Sequence, residues 1–243
     1  MTEKLYDFYD RNEYEDGVLR MAGIDYHMDI AGPYLCAEIF TQGCIHSCKD
    51  CFNPETHSVN GGREFEVDDI VEVLEESTPY KRLTISGGEP LMQAKNLYHL
   101  CRKLKERGWF ILCYTGFTWE QIMDLQRRDY TAYIDILSML FYVDVLIDGR
   151  FEKDKALPIE PGKFIGSSNQ RAILPRESYG YGRIIEWEKP LKLKIRDMLG
   201  LGLGGELYWL KSEKEKSNLS NQPIWKKLQR CVTTALTRWL NQL

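Results

Sequence analysis

No apolar run in this 243-residue chain approaches the roughly 18 residues that a membrane-crossing helix needs. The opening, MTEKLYDFYDRNEYEDG, is acidic and has neither the basic start nor the apolar stretch of a signal peptide. Both absences lead us to expect a cytoplasmic protein with no membrane partner. Cysteine is present in an odd number, seven, and that compartment keeps thiols reduced, so a disulfide framework is not expected either.

A nucleic-acid platform is also missing. The net charge is −4, and the cations of the last third stand scattered among Glu and Leu rather than between stacking aromatics. The charge is nevertheless uneven. Residues 176–243 hold 13 Lys and Arg against seven Asp and Glu, whereas residues 1–175 hold 19 against 29. This separates an acidic main body (1–175) from a basic extension (176–243).

What the core does contain is alternation. LCAEIFT (35–41), RLTIS (82–86), WFILCYT (109–115) and VDVLI (143–147) read as strands, and RAIL (171–174) as a possible fifth. Between them, Val67, Ile70, Val71 and Leu74 take the spacing of one helix face, as do Leu97, Leu100, Cys101 and Leu104, with Gly108 where a helix should stop. Thr118 and Gln121 have the spacing of a capping box. Strand and helix in alternation imply parallel units and an α/β fold. A complete eight-unit barrel needs about 250 residues, so the expectation is an open partial barrel or a short parallel sheet. Chemistry then belongs in the loops at the carboxyl ends of the strands. TQGCIHSC, SGGEP, YTGF and DGRF all fall there.

GCIHSCKDCFNPETH (43–57) concentrates three cysteines, Cys44, Cys48 and Cys51, at C-x3-C-x2-C spacing. One helix face of small packing residues would have that spacing, but Gly43, Lys49, Asp50 and Asn53-Pro54 describe a loop. Zinc would need a fourth ligand, which His46 or His57 could provide, although no second ligand cluster is present. A 4Fe-4S cluster on three thiolates would leave one iron open to a non-protein ligand. Cys36, Cys101, Cys113 and Cys231 lie in apolar contexts and read as packing residues.

The cysteine loop followed one unit later by GGEP resembles the radical S-adenosylmethionine (SAM) superfamily. With YTGFTWE, DVLIDGRF and GSSNQR added, the order from about Ile24 to Leu174 resembles the activating enzymes of anaerobic ribonucleoside-triphosphate reductase. The resemblance implies an open partial (βα) barrel of radical SAM type over a core domain of residues 24–175, with residues 1–23 as an N-terminal segment before it. It implies that Cys44, Cys48 and Cys51 bind three irons of a single 4Fe-4S cluster and that SAM chelates the fourth. Reduction of SAM then yields a 5′-deoxyadenosyl radical, which takes a hydrogen from a glycine of the large reductase subunit. No catalytic residue beyond cluster and SAM is implied.

By the same resemblance Gly87 and Gly88 admit SAM to the backbone, Glu89 accepts from its ammonium group, and the stretch Asp50 to Phe52 meets the adenine. The aromatic here follows the third cysteine, where many radical SAM enzymes place it before. Asn169, with Gln170 and Arg171, would line the site or face the partner, and Asp148, Gly149 and Arg150 would form its rim. His46 and His57 are not needed as ligands. The implied partners are the large reductase subunit and a low-potential electron donor such as flavodoxin or ferredoxin. Two alternatives stand beside this reading: a small radical SAM enzyme of deazapurine synthase type acting on a small molecule, and a zinc-stabilised binding module.

The extension has no counterpart in that family. GLGLGG (200–205) fits a dinucleotide fingerprint literally, but no βαβ unit surrounds it. Trp225, Leu228, Val232, Ala235, Trp239 and Leu243 mark one face of an amphipathic terminal helix, expected to dock on the core, with a partner or a membrane surface as the alternatives.

Overall fold

The computed structural model describes residues 16–187; the expectations for GLGLGG, Cys231 and the terminal helix lie outside that range. Seven strands form one sheet in the order β3-β1-β2-β4-β5-β6-β7. They are β1 (Val18–Met28), β2 (Cys36–Thr41), β3 (Arg63–Glu66), β4 (Arg82–Gly87), β5 (Phe110–Tyr114), β6 (Val145–Asp148) and β7 (Arg171–Ile173). The helices are α1 (Val67–Ser77), α2 (Ala94–Glu106), α3 (Trp119–Arg128), α4 (Tyr130–Leu140) and α5 (Pro175–Tyr181).

The four middle strands, β2, β4, β5 and β6, pair in parallel. The edges do not. β1 is antiparallel to both β2 and β3, and β7 is antiparallel to β6. Parallel strands were the expectation; β7 departs from it because only a short 3-10 turn (Lys153–Lys155) and no α-helix lies between β6 and β7, and without a crossover α-helix the chain returns in the opposite direction.

Every long crossover puts its helix on the same face. Ile39, Leu83, Ile85, Ile111, Cys113 and Leu146 point from the sheet into one core with Val67, Ile70, Val71 and Leu74 of α1, Leu97, Leu100, Cys101 and Leu104 of α2, and Ile122, Tyr133 and Ile136 of α3 and α4. The other face carries a smaller cluster, Leu112, Val145, Ile147, Phe164 and Ala172. Polar Glu38, Thr84 and Ser86 sit on that face too, and are buried. The parallel strands β2, β4, β5 and β6 thus all end on one edge of the sheet, at Thr41, Gly87, Tyr114 and Asp148.

Local signals place the elements. Thr118 caps α3 with both arms of the capping box formed to and from Gln121, and Gly108 takes φ +80° just after α2, a conformation glycine adopts at little cost. Cys36, Cys101 and Cys113 are buried, as expected of packing residues. Among the described residues no helix is long and apolar enough to cross a membrane.

Candidate functional site

The loop after β2 is held from both sides. Gly43 N donates to Thr56 O at 2.8 Å, Cys44 N to His57 O at 3.1 Å, and Glu89 N to Gly43 O at 2.7 Å. The Gln42 side chain adds a bond to Ser58 O at 2.7 Å. Within this frame Ser47 and Asp50, each just before a cysteine, take φ of 46° and 58°. Left-handed backbone at Ser and Asp carries a cost of about 1 kcal/mol each, and such strain gathers where a loop must present side chains in one direction.

The three thiols are partly exposed, and each meets backbone N–H groups. Cys44 faces those of His46 and Ser47, and Cys48 that of Phe151. Cys51 Sγ accepts from Asn53 N at 3.4 Å. Burial pushes the Cys44 thiol up to about 12, with the Glu89 charge adding to it; Cys48 is raised, again chiefly by burial. Among the described residues no three His, Cys, Asp or Glu side chains converge on one point as the ligands of a single metal ion would. A cubane cluster makes a different demand, since its three thiolates each hold a separate iron, and N–H groups directed at sulfur are what such clusters use. Soft donors, partial exposure and N–H support at all three positions fit a 4Fe-4S group.

The two glycines of SGGEP have reasons within the protein. Gly87 has φ +96°, and a Cβ there would lie 2.5 Å from Thr41 N. A Cβ on Gly88 would lie 2.1 Å from Gly43 O. Both let the loop after β4 close on the cysteine loop.

Glu89 is held by the protein itself. It is 0% exposed, and its carboxylate accepts from four protein donors: Leu91 N (3.0 Å), Thr115 Oγ1 (2.8 Å), Gly116 N (2.8 Å) and His46 Nε2 (2.7 Å). The sequence gives Thr115 no role, although YTGF is a marked motif, and offers His46 as a possible zinc ligand or as a residue of the loop and its surroundings.

The remaining candidates gather at the same edge. Phe52 is 56% exposed and packs on Phe151 with ring centroids 4.6 Å apart, while Lys153 pairs with Asp50 at 3.1 Å. Asn169 Nδ2 donates to Arg150 O at 2.8 Å, Gln170 Nε2 to Gly149 O at 2.9 Å, and Gly149 N to Phe117 O at 2.9 Å. The Asn169 Oδ1 is buried without a protein partner. Asp148 and Arg171 turn out to brace the fold: Asp148, 1% exposed, accepts from Trp119 N at 2.8 Å and from Arg171 Nε at 3.0 Å. His57 shares the loop, its Nε2 buried and without a partner.

Comparison with known proteins follows the same motifs. Residues 30–173 match the family described as 4Fe-4S single cluster domain. The anaerobic ribonucleoside-triphosphate reductase-activating protein of Vibrio cholerae is 32% identical over 155 residues, 60% of this chain and 92% of that protein. The protein of the same name from Enterobacteria phage T4 is 32% identical over 148 residues, 58% of this chain and 85% of that one. A pyruvate formate-lyase-activating enzyme of Staphylococcus epidermidis is 40% identical over a shorter stretch of 85 residues, 32% of this chain and 34% of that enzyme.

Proposed function

Because the chain belongs to the 4Fe-4S single cluster domain family and to the anaerobic ribonucleoside-triphosphate reductase-activating proteins within it, we propose that it is the activase that places a glycyl radical on that reductase. The observation carrying this reading is the loop of Cys44, Cys48 and Cys51, every thiol met by backbone N–H and the whole loop locked against SGGEP.

When bound, the cluster and SAM supply the chemistry: one electron cleaves SAM reductively, and a hydrogen atom is taken from a glycine α-carbon of the large reductase subunit. The chain's own residues hold and orient. Cys44, Cys48 and Cys51 would bind three irons, with N–H groups of residues 46, 47, 53 and 151 stabilising the thiolates. Asp50 to Phe52 would border the adenine, residues 87–89 would supply backbone beside the methionyl end, and Asn169 Oδ1, buried without a protein partner, would accept from SAM. The sheet reads as an unclosed radical SAM barrel, whose open side lets a segment of another protein reach the site. The electron comes from a low-potential donor such as flavodoxin or ferredoxin, and the setting is the cytoplasm.

The test is anaerobic reconstitution with iron and sulfide, followed by assays for 5′-deoxyadenosine on adding SAM and reductant and for a glycyl radical by electron paramagnetic resonance on adding the reductase. A brown protein giving both, and neither when Cys48→Ala is used, supports the reading. SAM cleavage without a glycyl radical would move the substrate to a small molecule, and a colourless zinc protein would end it.

A further inference from the structure

Glu89 has no lone-pair direction to spare. A carboxylate offers about four acceptor positions on two oxygens, and here Oε1 takes Leu91 N and Thr115 Oγ1 while Oε2 takes Gly116 N and His46 Nε2. The Thr115 hydroxyl itself accepts from Phe117 N at 3.1 Å, so its proton is directed at Glu89. The donors come from three segments: the cysteine loop, the loop after β4 and the loop after β5. A ligand ammonium could join only by displacing one of them, and the displaced group would be left buried and unpaired.

His46 is fixed as firmly. It lies midway between Cys44 and Cys48 in the chain, and its side chain is 3% exposed. The ring stands edge-on to Phe117 with centroids 4.6 Å apart, and it fills the space where a Cβ on Gly116 would come within 2.3 Å of its Cδ2. Among the described residues its ring bonds to Glu89 through Nε2, and Nδ1 is buried without a partner; the ring therefore carries its proton on Nε2. The backbone N–H of the same residue faces the Cys44 sulfur.

We propose that Glu89 and His46 form a positioning clamp that sets the cysteine loop against the loops after β4 and β5, so that Glu89 acts on the cluster through His46 and not by contact with SAM. The inference rests on the activase reading. Hydrogen bonds to cluster sulfurs are one of the protein's means of setting a cluster's potential. Releasing the His46 ring frees the backbone donors at Cys44, and the consequence reaches the cluster before any SAM is present. Direct contact between Glu89 and SAM would have no such consequence. The two roles therefore separate in the SAM-free protein.

The experiment compares the anaerobically reconstituted full chain with Glu89→Gln, His46→Ala, His46→Gln and the double variant His46→Ala/Glu89→Gln. Electron paramagnetic resonance spectra and midpoint potentials are recorded without SAM, and SAM affinity is measured separately. The clamp predicts that Glu89→Gln and His46→Ala each alter the SAM-free spectrum and potential and weaken SAM binding about tenfold, the usual lower scale for residues that support a metal centre from behind its ligands. The double variant should be no worse than the poorer single one. His46→Gln, whose Nε2 reaches about as far as the ring nitrogen, should recover most of the loss. The clamp is overturned if Glu89→Gln leaves the SAM-free cluster unchanged while SAM affinity falls, or if the two single effects add. A wild-type chain that takes up no cluster removes the activase reading instead; the same cycle run on urea-unfolding midpoints of the metal-free chain then decides, with additivity counting against the clamp.

Discussion

The rings of Phe52 and Phe151 lie 4.6 Å apart at an interplanar angle of 52°, joining the residue after the third cysteine to the loop that follows β6. That loop also presents the N–H of Phe151 to Cys48 and Lys153 to Asp50. Phe151→Ala should destabilise the metal-free chain by about 1 kcal/mol, the scale of an aromatic pair, and should shorten the lifetime of the reconstituted cluster in air. Lys153→Ala removes an exposed ion pair and should cost under about 0.5 kcal/mol. Urea midpoints and the decay of visible absorbance measure the two effects, and equal losses would mean that the rings carry nothing special.

Arg171 ties β7 to the start of α3. It donates to the buried Asp148 and makes two bonds to Glu120, at 3.0 and 2.9 Å. Arg171→Leu should cost about 2–3 kcal/mol, because Asp148 is left buried with Trp119 N as its remaining donor. The Arg171 hydrogen bonds lower the Glu120 carboxyl to about 2. A depressed acid contributes stability fully above its unfolded value, about 4.3, and loses it as pH falls toward 2. The gap between wild type and Arg171→Leu in thermal unfolding should accordingly hold from pH 7 to about 5 and narrow below about 4.3. A gap that widens in acid would contradict the pairing.

Gly88 separates close packing from mere flexibility. Its Cβ would sit 2.1 Å from the Gly43 carbonyl, and neither backbone can yield without breaking the Glu89 N to Gly43 O bond. Gly88→Ala should cost about 3 kcal/mol or more and abolish cluster uptake. Gly180→Ala, where a Cβ meets nothing within 4 Å, should be neutral within about 0.5 kcal/mol. Far-ultraviolet circular dichroism with denaturant titration of both variants checks this; tolerance of alanine at residue 88 would show that the two loops are not in fixed contact.

Sequence periodicity located the middle of the molecule because β2, β4, β5 and β6 are buried and parallel, and α1 to α3 carry apolar faces at regular spacing. It passed over β1, β3 and α4. β3 is a four-residue edge strand exposed at every position, so no alternation marks it, and β1 carries a bulged register that breaks its pattern. In α4 the run YIDILSML is apolar on too much of its surface to show a single face. The cysteine spacing and the SGGEP motif mark two of the site's loops, and the family resemblance implies that Glu89 faces the ammonium group of SAM. Its four donors come from residues 46, 91, 115 and 116, and only the folded arrangement of three loops reveals that they share one carboxylate.

Glu38 is the buried acid that no motif announced. It is 5% exposed on the face of the sheet away from the helices. Oε1 accepts from Ser86 Oγ at 2.5 Å, and Oε2 is buried with no partner. Burial raises its carboxyl from 4.5 to about 7; the Ser86 bond opposes that shift, and Asp25, its cross-strand neighbour on β1, adds to it. Tyr114 of β5 shares this face and is raised chiefly by burial, with the Glu38 charge adding to it. An acid with a raised value binds its proton more tightly folded than unfolded, so it removes stability as pH rises from about 4.5 to 7, and the loss persists above. Glu38→Gln keeps the shape and the Ser86 partner but cannot titrate. Wild type should therefore lose on the order of 2 kcal/mol relative to Glu38→Gln between pH 4.5 and 8, in urea unfolding of the metal-free chain. Parallel pH profiles for the two proteins would place the charge of Glu38 in contact with water and refute the dry, half-partnered carboxyl.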